Sequence, residues 1–170
     1  MDEVLIITCG GTFSKVYNPL DGTMIVPKNN EILERIIKTY FKFNINLIDI
    51  QEFIYKDSLD MDDTDRKRLK NIVSQSQFQK IIIIHGTDTI HLSAKELEDV
   101  SKEKNIGIVL VGAMEPISIN PIEGCMNFGC AYGFLQALQT SGVFISMNGI
   151  IKNVQEIVKN RELGYFKCLK

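Results

Sequence analysis

The chain has 170 residues, 45% hydrophobic and 24% charged, with a net charge of -2 and an isoelectric point near 5.7. Such a chain reads most simply as one globular domain over residues 1–170, long enough to bury roughly 70% of its unfolded surface. The near-neutral balance argues against nucleic-acid or anionic-membrane partners, which need a basic face, and no window holds the roughly 18 apolar residues of a membrane span. The start, MDEVLIITC, carries acids where a secretory leader carries basic residues, so a cytoplasmic location is expected. Cys9, Cys125, Cys130 and Cys168 make no C-x-x-C pair, and there are two histidines. Four reduced thiols are therefore expected, with no metal and no other cofactor.

In chain order, VLIIT (Val4 to Thr8) predicts a short strand ending at Gly10 and Gly11. NNEILERIIKTYF spaces Ile32, Leu33, Ile36, Ile37, Tyr40 and Phe41 as one helical face, with Asn29 or Asn30 as N-cap. INLIDI predicts a strand, and DDTDRKRLKNIVSQS a helix with Leu69, Ile72 and Val73 inward and acids in its first turn, where the helix dipole favours them. KIIIIH is apolar on both faces, as a buried parallel strand is. TIHLSAKELEDVSKE predicts one helix, IGIVLV a buried strand, NFGCAYGFLQALQ a helix burying Phe128, Ala131, Leu135 and Leu138, and GVFISM a fifth strand. The tail, GIIKNVQEIVKNRELGYFKCLK, fits either short strands or a helix.

Alternation of strand and helix implies an α/β fold, a mainly parallel sheet covered on both faces by helices. Ligands of such sheets bind outside the carboxyl ends of the strands. There the chain places CGGT, HGTDT, VGAMEP and MNG after successive strands. Each loop has a plain structural reading as well. CGGT serves as a strand-to-loop turn, and it matches neither a Walker loop nor G-x-G-x-x-G. Thr87 or Asp88 serves as a helix N-cap. His85 reads as a packed, hydrogen-bonded histidine and His91 as a solvated one. In the chemical reading, a hydroxyl in such a loop is a nucleophile when a base or lysine lies near, and a carboxylate orients it.

GGT after the first strand, HGTDT after a buried strand and VLVGAMEP after the next resemble, in order and spacing, the signature loops of bacterial-type L-asparaginases. The resemblance covers nearly the whole chain and corresponds to the family's N-terminal domain alone, without its smaller C-terminal domain. It implies a Rossmann-like three-layer sandwich of the asparaginase N-terminal type. It implies an amidohydrolase in which Thr12 is the nucleophile and Thr87, Asp88 and a lysine form a supporting set. That lysine falls on Lys159, with Lys152 as a competitor. Tyr17, in SKVYNPLDG, is the candidate lid tyrosine, and Lys15 beside it is expected to be solvated.

For the substrate, the resemblance points to Gly11, Gly86, Ala113, Ser58 and the position of Leu59, where the family has glutamine. Glu115 stands where the family has arginine, and Glu123-Gly124 where it has Asp-Gly. In the family the C-terminal domain lends an acidic residue across the dimer for the α-ammonium, and nothing in these 170 residues takes that part. The implied partners are a small amide or amino acid and further copies of the chain, as a homodimer or homotetramer. The alternative function is a non-catalytic module that binds an amino acid or carboxylate in the same crevice.

Overall fold

Four consecutive isoleucines, Ile81 to Ile84, are each wholly buried, and this is possible only in a strand with cover on both faces. In the computed structural model, which describes residues 2–40 and 48–169, they form most of β5 (Lys80–Ile84). Its neighbours are β1 (Val4–Gly10) and β6 (Gly107–Val111), and β4 (Ile48–Lys56) and β7 (Gly142–Met147) lie further out. The sheet order is β4-β1-β5-β6-β7-β8, parallel except for β8 (Ile150–Asn153), which runs antiparallel to β7.

The two-residue side-chain period sorts the core into two clusters. Leu5, Ile7, Ile81, Ile83, Ile108 and Leu110 face one way, towards α2 (Asp63–Gln75), α3 (Ile90–Glu96) and α4 (Glu98–Lys104). Val4, Ile6, Ile82, Ile84, Val109 and Val111 face the other, towards α1 (Glu31–Tyr40) and α5 (Pro121–Ala137). Each fully buried isoleucine contributes about 1.5–3 kcal/mol. This is the expected three-layer α/β sandwich.

Several boundaries differ from the sequence reading. The strand expected at INLIDI runs on to Lys56, and the alternation of IDIQ gives way to the continuous run Phe53, Ile54, Tyr55. Residues 45–47, Phe41 and the side chain of Tyr40 lie outside what is described. At the N-terminus of α1 the Asn29 side chain accepts from the Glu31 N–H at 3.3 Å. The single helix expected over TIHLSAKELEDVSKE is two, α3 and α4. The turn tightens at buried Leu97, whose N–H bonds to Ala94 O at 3.1 Å, an i→i-3 contact. Helix α5 starts six residues before the expected Asn127, with Pro121 in its first turn and the Asn120 side chain as cap.

The tail resolves as strands, with β8 followed by a hairpin of β9 (Ile157–Asn160) and β10 (Tyr165–Cys168). Ile157 and Phe166 of that hairpin join the α2–α4 side of the core. A second hairpin, β2 (Val16–Asn18) with β3 (Thr23–Ile25), follows β1.

All four cysteines are free, as expected. No described helix is long and apolar enough to cross a membrane.

Candidate active site

From β1 the chain crosses to β4 on one side and then to β5 on the other. At that reversal, above the carboxyl ends of β1 and β5, sheets of this kind bind their ligands. The two loops that leave these strands touch there, Gly11 against Gly86. A Cβ on Gly11 would stand 2.4 Å from Cα and N of Gly86, and Gly11 itself has φ +79° and ψ -175°. Only glycine permits both the approach and the dihedrals.

Thr12 follows, at the start of a single 3-10 turn. Phe13, 1% exposed, plugs that turn into the α1/α5 core and leaves Thr12 partly exposed. The Thr12 hydroxyl makes no hydrogen bond to another described residue.

In the loop after β5, Thr87 Oγ1 accepts from Lys159 Nζ at 2.8 Å and Asp88 Oδ1 accepts from it at 3.0 Å. Thr87 is buried, and the Lys159 and Asp88 side chains are 12% and 28% exposed. Lys159 comes from β9, outside the main sheet, and two anchors set its place. Its cross-strand partner Phe166 is buried in the core, and the Phe166 N–H donates to Asn148 Oδ1 at 2.8 Å. Asn148 adopts the left-handed region, φ +53°, in the turn after β7. Lys152 sits in β8 opposite Ile145 and makes no such contact. Of the two candidate lysines, Lys159 is the one beside Thr87 and Asp88.

Ser58, 1% exposed, underpins the same loop. Its Oγ accepts from the N–H groups of Asp88 at 3.2 Å and Thr89 at 3.4 Å, and its carbonyl accepts from the Thr89 hydroxyl at 2.7 Å. A Cβ on Gly86 would meet Ser58 Cβ and Oγ at 2.7 Å, so the glycine is what lets Ser58 in.

The family model for the N-terminal domain of asparaginase matches residues 3–165. The chain belongs to the asparaginase N-terminal family. Its fold is similar to that of the thermostable L-asparaginase from Thermococcus kodakarensis, with TM-score 0.80 and 20% identity over 98% of this chain and 51% of that one. It is also similar to a probable cytoplasmic L-asparaginase from Campylobacter jejuni, with TM-score 0.74 and 23% identity over 99% and 52%. The chain thus spans about half the length of these solved structures.

The remaining expected residues of this asparaginase-type crevice are not all gathered. Ala113 is fully buried, and the loop holding it is fastened by Glu123, whose Oε2 accepts from Met114 N–H at 2.9 Å and Glu115 N–H at 3.1 Å. Glu115 turns to Asn120, which donates to it at 2.7 Å. Leu59 is 64% exposed. Tyr17 is 60% exposed on the β2–β3 hairpin, with its hydroxyl over Gly22 of the same hairpin rather than packed into the crevice.

The expectation of a solvated Lys15 is overturned. Its Nζ pairs with Asp57 Oδ2 at 2.6 Å, and both side chains are about three-quarters buried, at 24% and 28% exposure. Burial pushes the Asp57 carboxyl up, but the Lys15 bond and the Leu59 N–H outweigh it and leave the pKa below the ordinary value. The partner lies 42 positions away, beyond any local pattern.

His85 is the packed histidine expected. Nδ1–H donates to Gly86 O at 2.8 Å, so Nε2 is the acceptor, 2.7 Å from Ser93 Oγ. Burial above all pushes its pKa down to about 4, so the ring is neutral near pH 7. His91 is half-buried rather than solvated, beside Asp88 and Lys159.

Three contributors escaped the sequence reading. Arg66, 7% exposed, donates to Met61 O at 3.1 Å and Thr89 Oγ1 at 3.3 Å, bracing the loop from α2. Arg161 donates to Asp88 O at 3.3 Å, and Asn148 supports Lys159 as described. In the sequence, both arginines look like ordinary solvated charges. Asn148 carries a weak signal, as an Asn-Gly pair after a strand. No cluster of metal-ligating residues occurs among the described residues.

Proposed function

We propose that this asparaginase-family domain hydrolyses the side-chain amide of asparagine or a related small amide and releases ammonia. In this reading Thr12 Oγ attacks the amide carbon, and loop N–H groups hold the oxyanion. The C–N bond breaks, and the nitrogen leaves as ammonia after taking up a proton that Tyr17 relays when its hairpin closes. Water then adds to the ester, held by Thr87 with Lys159 and Asp88, and Thr12 regains its proton. Gly11, Gly86, Ala113, Ser58 and the backbone at Leu59 line the substrate's place.

One observation carries the reading. Lys159 bridges a buried hydroxyl and a carboxylate more than 70 positions away in the chain, at 2.8 and 3.0 Å. A lone N-cap needs no lysine, whereas activation of a hydroxyl needs a cation and a carboxylate beside it. The chain is further proposed to act in the cytoplasm as a homodimer or homotetramer. Ile119, Ile122 and Met126, 65%, 76% and 45% exposed at and beside the start of α5, provide apolar surface for assembly.

The deciding experiment measures ammonia release from a panel of small amides by the protein and by Thr12→Ala. Turnover that Thr12→Ala abolishes is expected. Binding of aspartate by calorimetry with no turnover of any amide would establish the crevice as a binding module instead.

A further inference from the structure

The turn that carries Thr12 is stitched to its surroundings on two sides. Gly11 N–H donates to Lys56 O at 2.9 Å, and Ile117 N–H donates to Phe13 O at 3.3 Å. Within the turn, Ser14 N–H bonds to Gly11 O and Lys15 N–H to Thr12 O, both at 3.1 Å. Ser118 Oγ donates to Lys15 O at 2.7 Å. Among the described residues, the side chain of segment 12–15 that makes a hydrogen bond is that of Lys15, and it goes to Asp57.

Asp57 divides its two oxygens between two 3-10 turns. Oδ2 accepts from Lys15 Nζ at 2.6 Å, and Oδ1 accepts from Leu59 N–H at 3.3 Å, capping the turn Ser58–Asp60. Ser58 Oγ in turn holds the N–H groups of Asp88 and Thr89. A continuous line of bonds thus runs from the Thr12 turn through Lys15, Asp57 and Ser58 to the loop of Thr87 and Asp88. Capping a three-residue turn takes only the Oδ1 bond, so the lysine, 42 positions away in the chain, answers another need. Both side chains are about three-quarters buried, at 24% and 28% exposure. Solvent therefore screens the pair weakly, and removing either partner strands the other charge.

We propose that Lys15 is a positioning residue, whose clasp on Asp57 sets the Thr12 hydroxyl in place relative to the loop of Thr87 and Asp88. It acts through Asp57 and Ser58 rather than on the substrate. The part of Thr12 as nucleophile rests on the hydrolase reading above. The clasp itself is a mechanical link and is measurable without turnover.

Two measurements on the protein and on Lys15→Met, Lys15→Arg and Asp57→Asn test it. In amide hydrogen exchange, Lys15→Met is expected to lose about tenfold protection at Ser14 and at Asp88 together, on either side of the broken link. The amides of Ile82 to Ile84 stay protected and check the fold. In steady-state turnover of the amide that releases most ammonia, kcat is expected to fall about 10- to 100-fold with KM within about threefold, because a displaced nucleophile costs rate rather than binding. Lys15→Arg keeps the pairing charge and is expected to hold kcat within about threefold of the parent. Asp57→Asn is expected to lower kcat as Lys15→Met does, and the double variant no further than the worse single, because both break one link. Protection lost at Leu59 alone, which would make the pair a local cap, or a raised KM at unchanged kcat would overturn the proposal. Joint loss of protection at Ser14 and Asp88 in a protein that turns over no amide would leave the link standing and remove the hydrolase reading alone.

Discussion

Replacing Gly11 by alanine tests whether the crevice is built on the contact between its two loops. Two costs add. The dihedrals φ +79° and ψ -175° lie in a region that is essentially glycine-only, at about 1–3 kcal/mol. The new methyl would stand 2.4 Å from Cα and N of Gly86, backbone atoms that no rotamer change can move. Overpacking of that kind costs about 1–3 kcal/mol more. Together they come to about 2–6 kcal/mol, a large part of the roughly 5–15 kcal/mol by which a domain is stable. Urea unfolding of Gly11→Ala is expected to show a lower midpoint with an unchanged slope, and the melting temperature to fall by roughly 5–20 °C. Gly86→Ala would meet Ser58 Cβ and Oγ at 2.7 Å without the dihedral cost, so a smaller loss of about 1–3 kcal/mol is expected. A Gly11→Ala protein within about 0.5 kcal/mol of the parent would mean that the loops do not touch as described.

Lys159→Met is expected to lower ammonia release by about 10²- to 10⁴-fold in steady-state assays with the fold retained, whereas Lys152→Met leaves it unchanged. Equal losses in the two variants would dissociate activity from the contact with Thr87 and Asp88. The acid limb of stability is expected to carry the signature of His85. Burial, helped by the charges of Arg66 and His91 and opposed by the Gly86 carbonyl and Asp57, pushes its pKa from 6.5 to about 4. The unfolded chain binds this proton below about pH 6.5 and the folded chain only near 4. Its contribution is therefore complete above pH 6.5 and is lost as pH falls, by about 3 kcal/mol at pH 4. His85→Gln is expected to flatten the pH dependence of the urea midpoint between pH 6.5 and 4.5, and the same slope in both proteins would refute it.

The buried strands were legible because a residue run such as Ile81 to Ile84 has one physical solution, and the loops that follow such strands then mark the sheet edge. Ser58, Thr87 and Asp88 were readable through the resemblance, and their convergence follows from the strand order. Less was legible where a residue's meaning depends on a distant partner. Lys15 and Asp57 are 42 positions apart, and Arg66 reaches a threonine 23 positions on. The tail was ambiguous because strands of four residues, as in β8, β9 and β10, are too short to separate a period of 2 from one of 3.6. The start expected at Asn127 fell late because the helix opens at Pro121, capped by the Asn120 side chain.

The way the loops are fastened divides the crevice into two mechanical halves. The loops after β6 and β7 are joined by one buried side chain. Asn127 Nδ2 donates to Gly112 O at 3.0 Å, its Oδ1 accepts from Gly149 N–H at 3.4 Å, and its carbonyl accepts from Ser146 Oγ at 2.8 Å. Asn148 then extends the frame to Phe166 and so to Lys159. Buried polar groups satisfied in this way tolerate little displacement, since any shift leaves one unpaired. Among the described residues, the side-chain bonds that fasten the β2–β3 hairpin lie at its base, where Lys15 meets Asp57 and Ser118 Oγ donates to Lys15 O at 2.7 Å. Beyond that base, Tyr17 and Leu20 are 60% and 94% exposed. In the proposed reaction, a hydroxyl held between lysine and carboxylate would need the first kind of support, and a hairpin that closes over substrate would need the second. The same sheet edge supplies both because its loops differ in what is tied to them.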